Sequence, residues 1–241
     1  MLRKPERGLF ITGTDTEVGK TYVTSIIARW LVSAGHKVGV YKPVASDCIR
    51  DGEEVHSSDA LSLWESANRP LNLNAVCPQR FEAPIAPHLA ARVQGESVDN
   101  DLLRTGIEAW QDYSDLVLVE GAGGLMSPAS DDEYFADLAY DFGYPLIVVV
   151  PNVLGCINQT MQTLITASTF REGLEIAGII LNDVRTTEGD ESVSSNEEEI
   201  ARRSVVPVLG RVTYGGSEIS KPVNWYDLAS QFMVESESLE S

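Results

Sequence analysis

The chain has 241 residues, 43% of them hydrophobic, and a formal net charge of −18 at pH 7. That length and apolar content suit one large α/β domain, and the acidity disfavours nucleic acid and anionic membranes as partners. No apolar run approaches the roughly 20 residues of a membrane span, and no apolar signal segment follows the basic start Met1-Leu2-Arg3-Lys4-Pro5. Cys48, Cys77 and Cys156 are too scattered for a disulfide framework or a zinc site, which points to a reducing, cytoplasmic setting.

The first predicted strand covers residues 9–12 and the first helix 20–34. Between and across them runs Gly13-Thr14-Asp15-Thr16-Glu17-Val18-Gly19-Lys20-Thr21. A glycine-bounded loop from strand to helix gathers backbone N–H groups around an anion, and the helix N-terminus adds positive potential. Lys20 can reach terminal phosphates, and the Thr21 hydroxyl can ligate Mg²⁺. Five residues separate Gly13 from Gly19 where the common motif has four, so the loop is a variant.

Further strands are predicted at 38–41, 116–119, 146–150, 176–181 and 208–212, with helices at 59–66, 100–111, 134–142, 157–170 and 196–203. Short β-branched runs alternating with helices predict a P-loop NTPase-like fold: a mostly parallel sheet with helices on both faces. We read residues 1–241 as a single domain, with 1–7 and about 235–241 as flexible ends and 187–199 as a mobile acidic loop entering a helix. Right-handed crossovers then bring the loops that follow the strands to one rim, where ligands bind.

The polar residues at that rim are the candidates. Glu120 ends a strand before Gly121-Ala122-Gly123-Gly124, where a carboxylate can hold Mg²⁺ and the glycines admit a ligand close to the backbone. Lys42 ends the second strand, and a second ammonium near Lys20 would neutralise charge in phosphoryl transfer. By position alone it is equally a solvated lysine beside a turn. Asp59 opens a helix behind Ser57-Ser58 and reads first as part of a helix cap; its segment alone does not assign it to Mg²⁺. Asn182-Asp183 reads first as a turn, though a side-chain amide there could meet a nucleobase edge. His88, after Pro87, reads as structural, and His36 and His56 as loop residues.

Taken together these segments resemble the dethiobiotin synthetase family. The resemblance rests on the variant phosphate loop with its extra residue, on Tyr41-Lys42-Pro43-Val44-Ala45-Ser46, and on Ser58-Asp59-Ala60-Leu61. It extends through Pro84 to His88, Val119-Glu120-Gly121-Ala122-Gly123-Gly124, Gly155-Cys156-Ile157-Asn158 and Asn182-Asp183-Val184. They occur in the family's order across roughly residues 8–212. The resemblance implies a cyclo-ligase of biotin synthesis that uses ATP and Mg²⁺ to carboxylate 7,8-diaminononanoate with CO₂ and close the ring. Its intermediates would be a carbamate and a carbamic-phosphoric anhydride. It implies Lys20 and Lys42 as catalytic cations, and Thr21, Asp59 and Glu120 around Mg²⁺. Nucleotide contacts would come from Glu17, Val18, Gly19, Lys20, Thr21, Tyr22, Asp59, Glu120, Gly121, Ala122, Gly123, Asn182 and Asp183. Substrate contacts would come from Thr16, Ser46, Gly155, Cys156 and Asn158, in a homodimer whose Gly155–Asn158 loop serves the site across the interface.

Three positions depart from that pattern: Asp47 stands where the family usually has glycine, Ala86 where it often has Thr or Ser, and Thr213 where it often has proline. Of the other phosphate-loop proteins considered, a partitioning ATPase would carry a second lysine where this chain has Asp15. A regulatory adaptor module would be expected to lose Lys42 or Glu120. An amidotransferase-type cobyrinate synthase would need a long glutaminase domain after Val212.

Overall fold

A computed structural model describes residues 2–186 and 189–230. In chain order, strand β1 (Gly8–Gly13) leads into helix α1 (Lys20–Ser33) and strand β2 (Val38–Tyr41). Four short strands follow, β3 (Val44–Ala45), β4 (Ile49–Asp51), β5 (Glu54–His56) and, beyond helices α2 (Ser58–Ser66) and α3 (Leu73–Val76), β6 (Gln79–Arg80). Next come α4 (Pro87–Val93), α5 (Asn100–Thr105), β7 (Leu116–Gly124), α6 (Phe135–Phe142), β8 (Leu146–Pro151), α7 (Cys156–Thr169), β9 (Ile176–Asn182), α8 (Asn196–Arg203), β10 (Val208–Val212) and α9 (Trp225–Leu228).

Six strands form one parallel sheet in the order β10-β9-β8-β1-β7-β2. Parallel strands covered on both faces must be apolar along their length rather than alternating. Accordingly Leu9–Ile11, Leu116–Val119 and Leu146–Val150 are all fully buried. Strand β1 sits between β7 and β8, so the phosphate loop leaves the middle of the sheet beside the end of β7. All six predicted sheet strands and the predicted α/β fold are present.

Several local readings change. The helix expected over residues 100–111 is α5 followed by a 3₁₀ turn, Gly106–Trp110. The Tyr41 hydroxyl lies 3.0 Å from the carbonyls of both Leu102 and Leu103, and a Cβ on Gly106 would meet that hydroxyl at 2.3 Å. This contact from β2 competes for carbonyls that a regular helix would use, and the turn tightens. Within the expected mobile segment 187–199, Glu191–Ser194 forms a 3₁₀ turn leading into α8, while residues 187 and 188 lie outside the described residues. At the expected flexible N-terminal end, Pro5 is buried and its carbonyl accepts from Tyr144 at 2.6 Å. The tail at 235–241 lies outside the described residues. Cys48, Cys77 and Cys156 are free thiols. Among the described residues no helix is long and apolar enough to cross a membrane.

Candidate active site

The phosphate loop bends back on itself through positions that disfavour side chains. Gly19, the residue before α1, has φ +87°, and a Cβ there would lie 2.1 Å from the Asn182 amide nitrogen. Glycine alone meets both demands. Asn182, from the end of β9, reaches across to donate to the Val18 carbonyl at 2.9 Å. Lys20 curls over the loop and donates to the Asp15 carbonyl at 3.0 Å.

Beneath the loop lies a buried carboxylate. Glu120 is fully buried, yet each of its oxygens is satisfied. Thr21 and Lys42 donate to Oε1, both at 2.7 Å, and Thr24 donates to Oε2 at 2.8 Å. The Lys42 ammonium, itself almost fully buried, also pairs with Asp59 at 2.7 Å. A buried charge persists only when paired and hydrogen-bonded, and this one has two carboxylates. Removing one partner of such a pair costs about 3–5 kcal/mol, because it strands the other.

The two lysines differ in consequence. Burial lowers the Lys20 pKa to about 8, partly opposed by Glu120 and reinforced by Lys42. Burial acts the same way on Lys42, but the charges and hydrogen bonds of Glu120 and Asp59 outweigh it and hold the pKa above the ordinary lysine value. Burial pushes the Asp59 carboxyl up, while Lys42, Thr21 and Lys20 together hold it below its usual range.

These groups surround a cavity of about 390 Å³ lined by Thr16, Glu17, Gly19, Lys20, Thr21, Lys42, Ser46, Asp47, Asp59, Ala122 and Gly123. A second cavity of about 380 Å³ shares Thr16, Glu17, Ser46, Asp47, Ala122 and Gly123, and continues past Pro84, Ile85, Ala86, Pro87 and Pro128. A polar chamber thus runs into a partly apolar one, an arrangement suited to a ligand with a charged head and an aliphatic body.

Most residues singled out in the sequence meet here. Lys42 and Asp59, ambiguous when read alone, join Glu120 in one network, which removes the solvated-lysine and simple-cap readings. Gly121 lies buried in β7 beneath Phe10 and Phe135. Tyr22 stands outside the 390 Å³ cavity and donates to the Gly216 carbonyl at 2.7 Å. Asp183 is turned away from the cavity: Arg211 clamps its carboxylate at 2.6–3.0 Å, and Asn152 donates to it at 2.8 Å. That network ties the ends of β8, β9 and β10 together. Gly155 and Asn158 are exposed at the start of α7 and line neither cavity. Cys156 is fully buried among Val148, Val150 and Leu164, so its thiol anchors the loop rather than facing a ligand. Thr24 was not singled out, although it lies on α1 three residues after Thr21, on the face turned toward Glu120.

For a divalent cation, the available donors are one hydroxyl and two carboxylates, from Thr21, Asp59 and Glu120. Among the described residues no group of three or more His, Cys, Asp or Glu gathers to hold an ion unaided. Mg²⁺ does not require one: it takes one or two carboxylates and completes its shell with water and substrate phosphates, so the donor set fits.

Residues 7–217 match a family model described as an AAA domain. The chain is 42% identical over 214 residues to the ATP-dependent dethiobiotin synthetase BioD of Rhodopirellula baltica, covering 84% of this chain and 82% of that protein. It is 36% identical over 206 residues to the ATP-dependent dethiobiotin synthetase BioD 1 of Escherichia coli strain K12, covering 85% and 89%. Among solved structures, a ParA family ATPase from Chlorobium tepidum TLS matches with a TM-score of 0.51 at 16% identity, covering 87% of this chain and 84% of that one. The signal recognition particle receptor FtsY from Elizabethkingia anophelis matches with a TM-score of 0.51 at 17% identity, covering 95% and 66%. The structural likenesses show the fold alone. With 36–42% identity along most of its length to these synthetases, and with the lysine–carboxylate network assembled at the phosphate loop, the chain belongs to the dethiobiotin synthetase family.

Proposed function

We propose that this protein converts 7,8-diaminononanoate, CO₂ and ATP into dethiobiotin, ADP and phosphate. The observation that carries the reading is the buried Lys42 held by Glu120 and Asp59 at the mouth of the phosphate loop. One amine adds to CO₂ and loses a proton, giving a carbamate. A carbamate oxygen takes the γ-phosphoryl group from ATP as ADP leaves. The second amine attacks the activated carbonyl, phosphate departs, and the cyclic urea closes.

In this chemistry the protein positions groups and neutralises charge. Because its two carboxylates raise the Lys42 pKa, Lys42 stays protonated at neutral pH and serves as a fixed cation rather than a base. It faces the carbamate and γ-phosphate oxygens together with Lys20. Backbone N–H groups of the loop around Gly19 cradle the phosphates. Thr21, Asp59 and Glu120 would hold Mg²⁺, which would supply further neutralisation at the phosphates. Asn182, whose amide donates to the Val18 carbonyl at 2.9 Å, would read the adenine in the same proposal. The homodimer and the cytoplasmic setting belong to the same proposal; the free, buried thiols are in keeping with the latter.

Purified protein with Mg²⁺ and ATP should form ADP only when both the diamine and bicarbonate are supplied, with dethiobiotin as product. Assayed below its lowered melting midpoint, Lys42→Ala should bind ATP but turn over at least 100-fold more slowly. Full-rate ATP hydrolysis without the diamine would sink the reading.

A further inference from the structure

Thr24 belongs to the network around Glu120 but lines neither cavity. It lies inside α1, fully buried, three residues after Thr21 and on the same face. Neither the helix nor its packing needs a hydroxyl there. A β-branched residue gains little in a helix interior, and a buried hydroxyl costs free energy unless it is paired. Ala or Val would fill the same position without a polar group to satisfy. The partners of the hydroxyl are therefore what account for it.

Thr24 Oγ1 stands 2.8 Å from two acceptors, the Lys20 carbonyl and Glu120 Oε2. The hydroxyl has one proton to give. The Lys20 carbonyl already receives the helical N–H from four residues on, and a carboxylate is the stronger acceptor, so the proton goes to Oε2. Both ends of the carboxylate are then fixed: Oε1 takes Thr21 and Lys42, and Oε2 takes Thr24. Glutamate needs this, because its terminal torsion is broad and rotamer preference alone does not set the plane of the carboxylate. With Oε2 released, the group could pivot about Oε1 and carry the Thr21 contact with it. Thr21 lines the polar chamber, and by donating its proton to Oε1 it keeps its lone pairs for a ligand.

We propose that Thr24 is a positioning residue of the divalent-cation site, acting through Glu120 without touching metal or nucleotide. The proposal deepens the synthetase reading and rests on its use of Mg²⁺. The Thr24 hydroxyl holds the Glu120 carboxylate in the plane that keeps Oε1 against Thr21. Thr21 and Asp59 then meet the cation with their geometry already set, and no ordering is left to be done when the nucleotide arrives.

The test compares Thr24→Val, which keeps the shape and removes the hydroxyl, with Thr24→Ser, which keeps the hydroxyl. ATP binding is measured by calorimetry without the diamine, once in EDTA and once in Mg²⁺. The parent protein should bind ATP more tightly in Mg²⁺. Thr24→Val should bind ATP in EDTA as the parent does, but lose about tenfold of the Mg²⁺ enhancement. The Mg²⁺ concentration that half-saturates dethiobiotin formation should rise by a similar factor. Thr24→Ser should keep both within about twofold of the parent. Should Thr24→Val not fold, Thr24→Ala, the stronger helix former, takes its place with the same expectation. A Mg²⁺ enhancement that survives loss of the hydroxyl, even with a lower melting midpoint, would overturn the proposal. Equal losses in EDTA and in Mg²⁺ would do the same, and either result leaves the synthetase reading standing. A parent protein that binds ATP equally with and without Mg²⁺ would bring down the proposal and the Mg²⁺ part of that reading together.

Discussion

Two lysines at one cavity illustrate how neighbours decide what an ammonium can do. Among the described residues Lys20 has only the Asp15 carbonyl as a direct hydrogen-bond partner, so burial dominates and its pKa falls to about 8. Lys42 is more deeply buried, but two carboxylates at 2.7 Å reverse the sign. A lysine whose folded pKa lies below its unfolded value makes folding costlier at low pH, and that cost is relieved as pH rises from about 8 through 10.5. Phosphate binding needs the charged form, so function runs the other way. The kcat/KM for ATP should fall as pH rises above about 8, whereas kcat, set with phosphate against Lys20, should hold to higher pH. Rate profiles between pH 6.5 and 9.5 check this; a flat kcat/KM across that range would remove Lys20 from phosphate binding. Lys20 was legible as a motif residue. The partnership of Lys42, Asp59 and Glu120 spans 78 positions and has no local signature.

At the scale of elements, the phosphate loop works because its shape is imposed from outside as well as from within. Gly19 provides the left-handed turn, and Asn182 from β9 packs into the space a side chain would occupy. Gly19→Ala should cost about 1–2 kcal/mol from the backbone alone and more from displacing Asn182. We expect at least tenfold weaker ATP binding by calorimetry, with the sheet intact by circular dichroism. Unchanged affinity would show that the loop tolerates another path. The loop, its strand and its helix follow from spacing and apolar pattern. The hairpin of β4 and β5 and the short helix α4 were not anticipated, because three-residue strands and a seven-residue helix are too short to show a period. Pro87 at the start of α4 was the one usable signal.

At the scale of the molecule, net charge and surface composition pull in opposite directions. A chain of −18 repels its own copies, yet the turn between β8 and α7 presents Leu154 at 83% exposure beside Gly155 and Asn158. A two-fold interface sets a patch against itself, so one added charge is felt twice. If this turn serves the site in a homodimer, Leu154→Asp should shift the protein toward monomer in sedimentation velocity and raise the KM for the diamine, while ATP affinity stays unchanged. A parent protein that is monomeric at micromolar concentration and fully active would overturn the dimer.

The sequence by itself determined the class of sheet, the order of its main elements and the phosphate loop, because apolar periodicity and glycine spacing are local properties of a chain. It also placed Glu120 at a strand end and carried a resemblance that named the chemistry. Only the tertiary structure decided that Lys42 is a buried cation held by two carboxylates, that Thr24 supports Glu120, and that Asp183 serves Arg211 rather than the cavity. Those outcomes depend on distances between segments brought together by sheet order and on the loss of water around them, and neither is encoded in any single stretch of sequence.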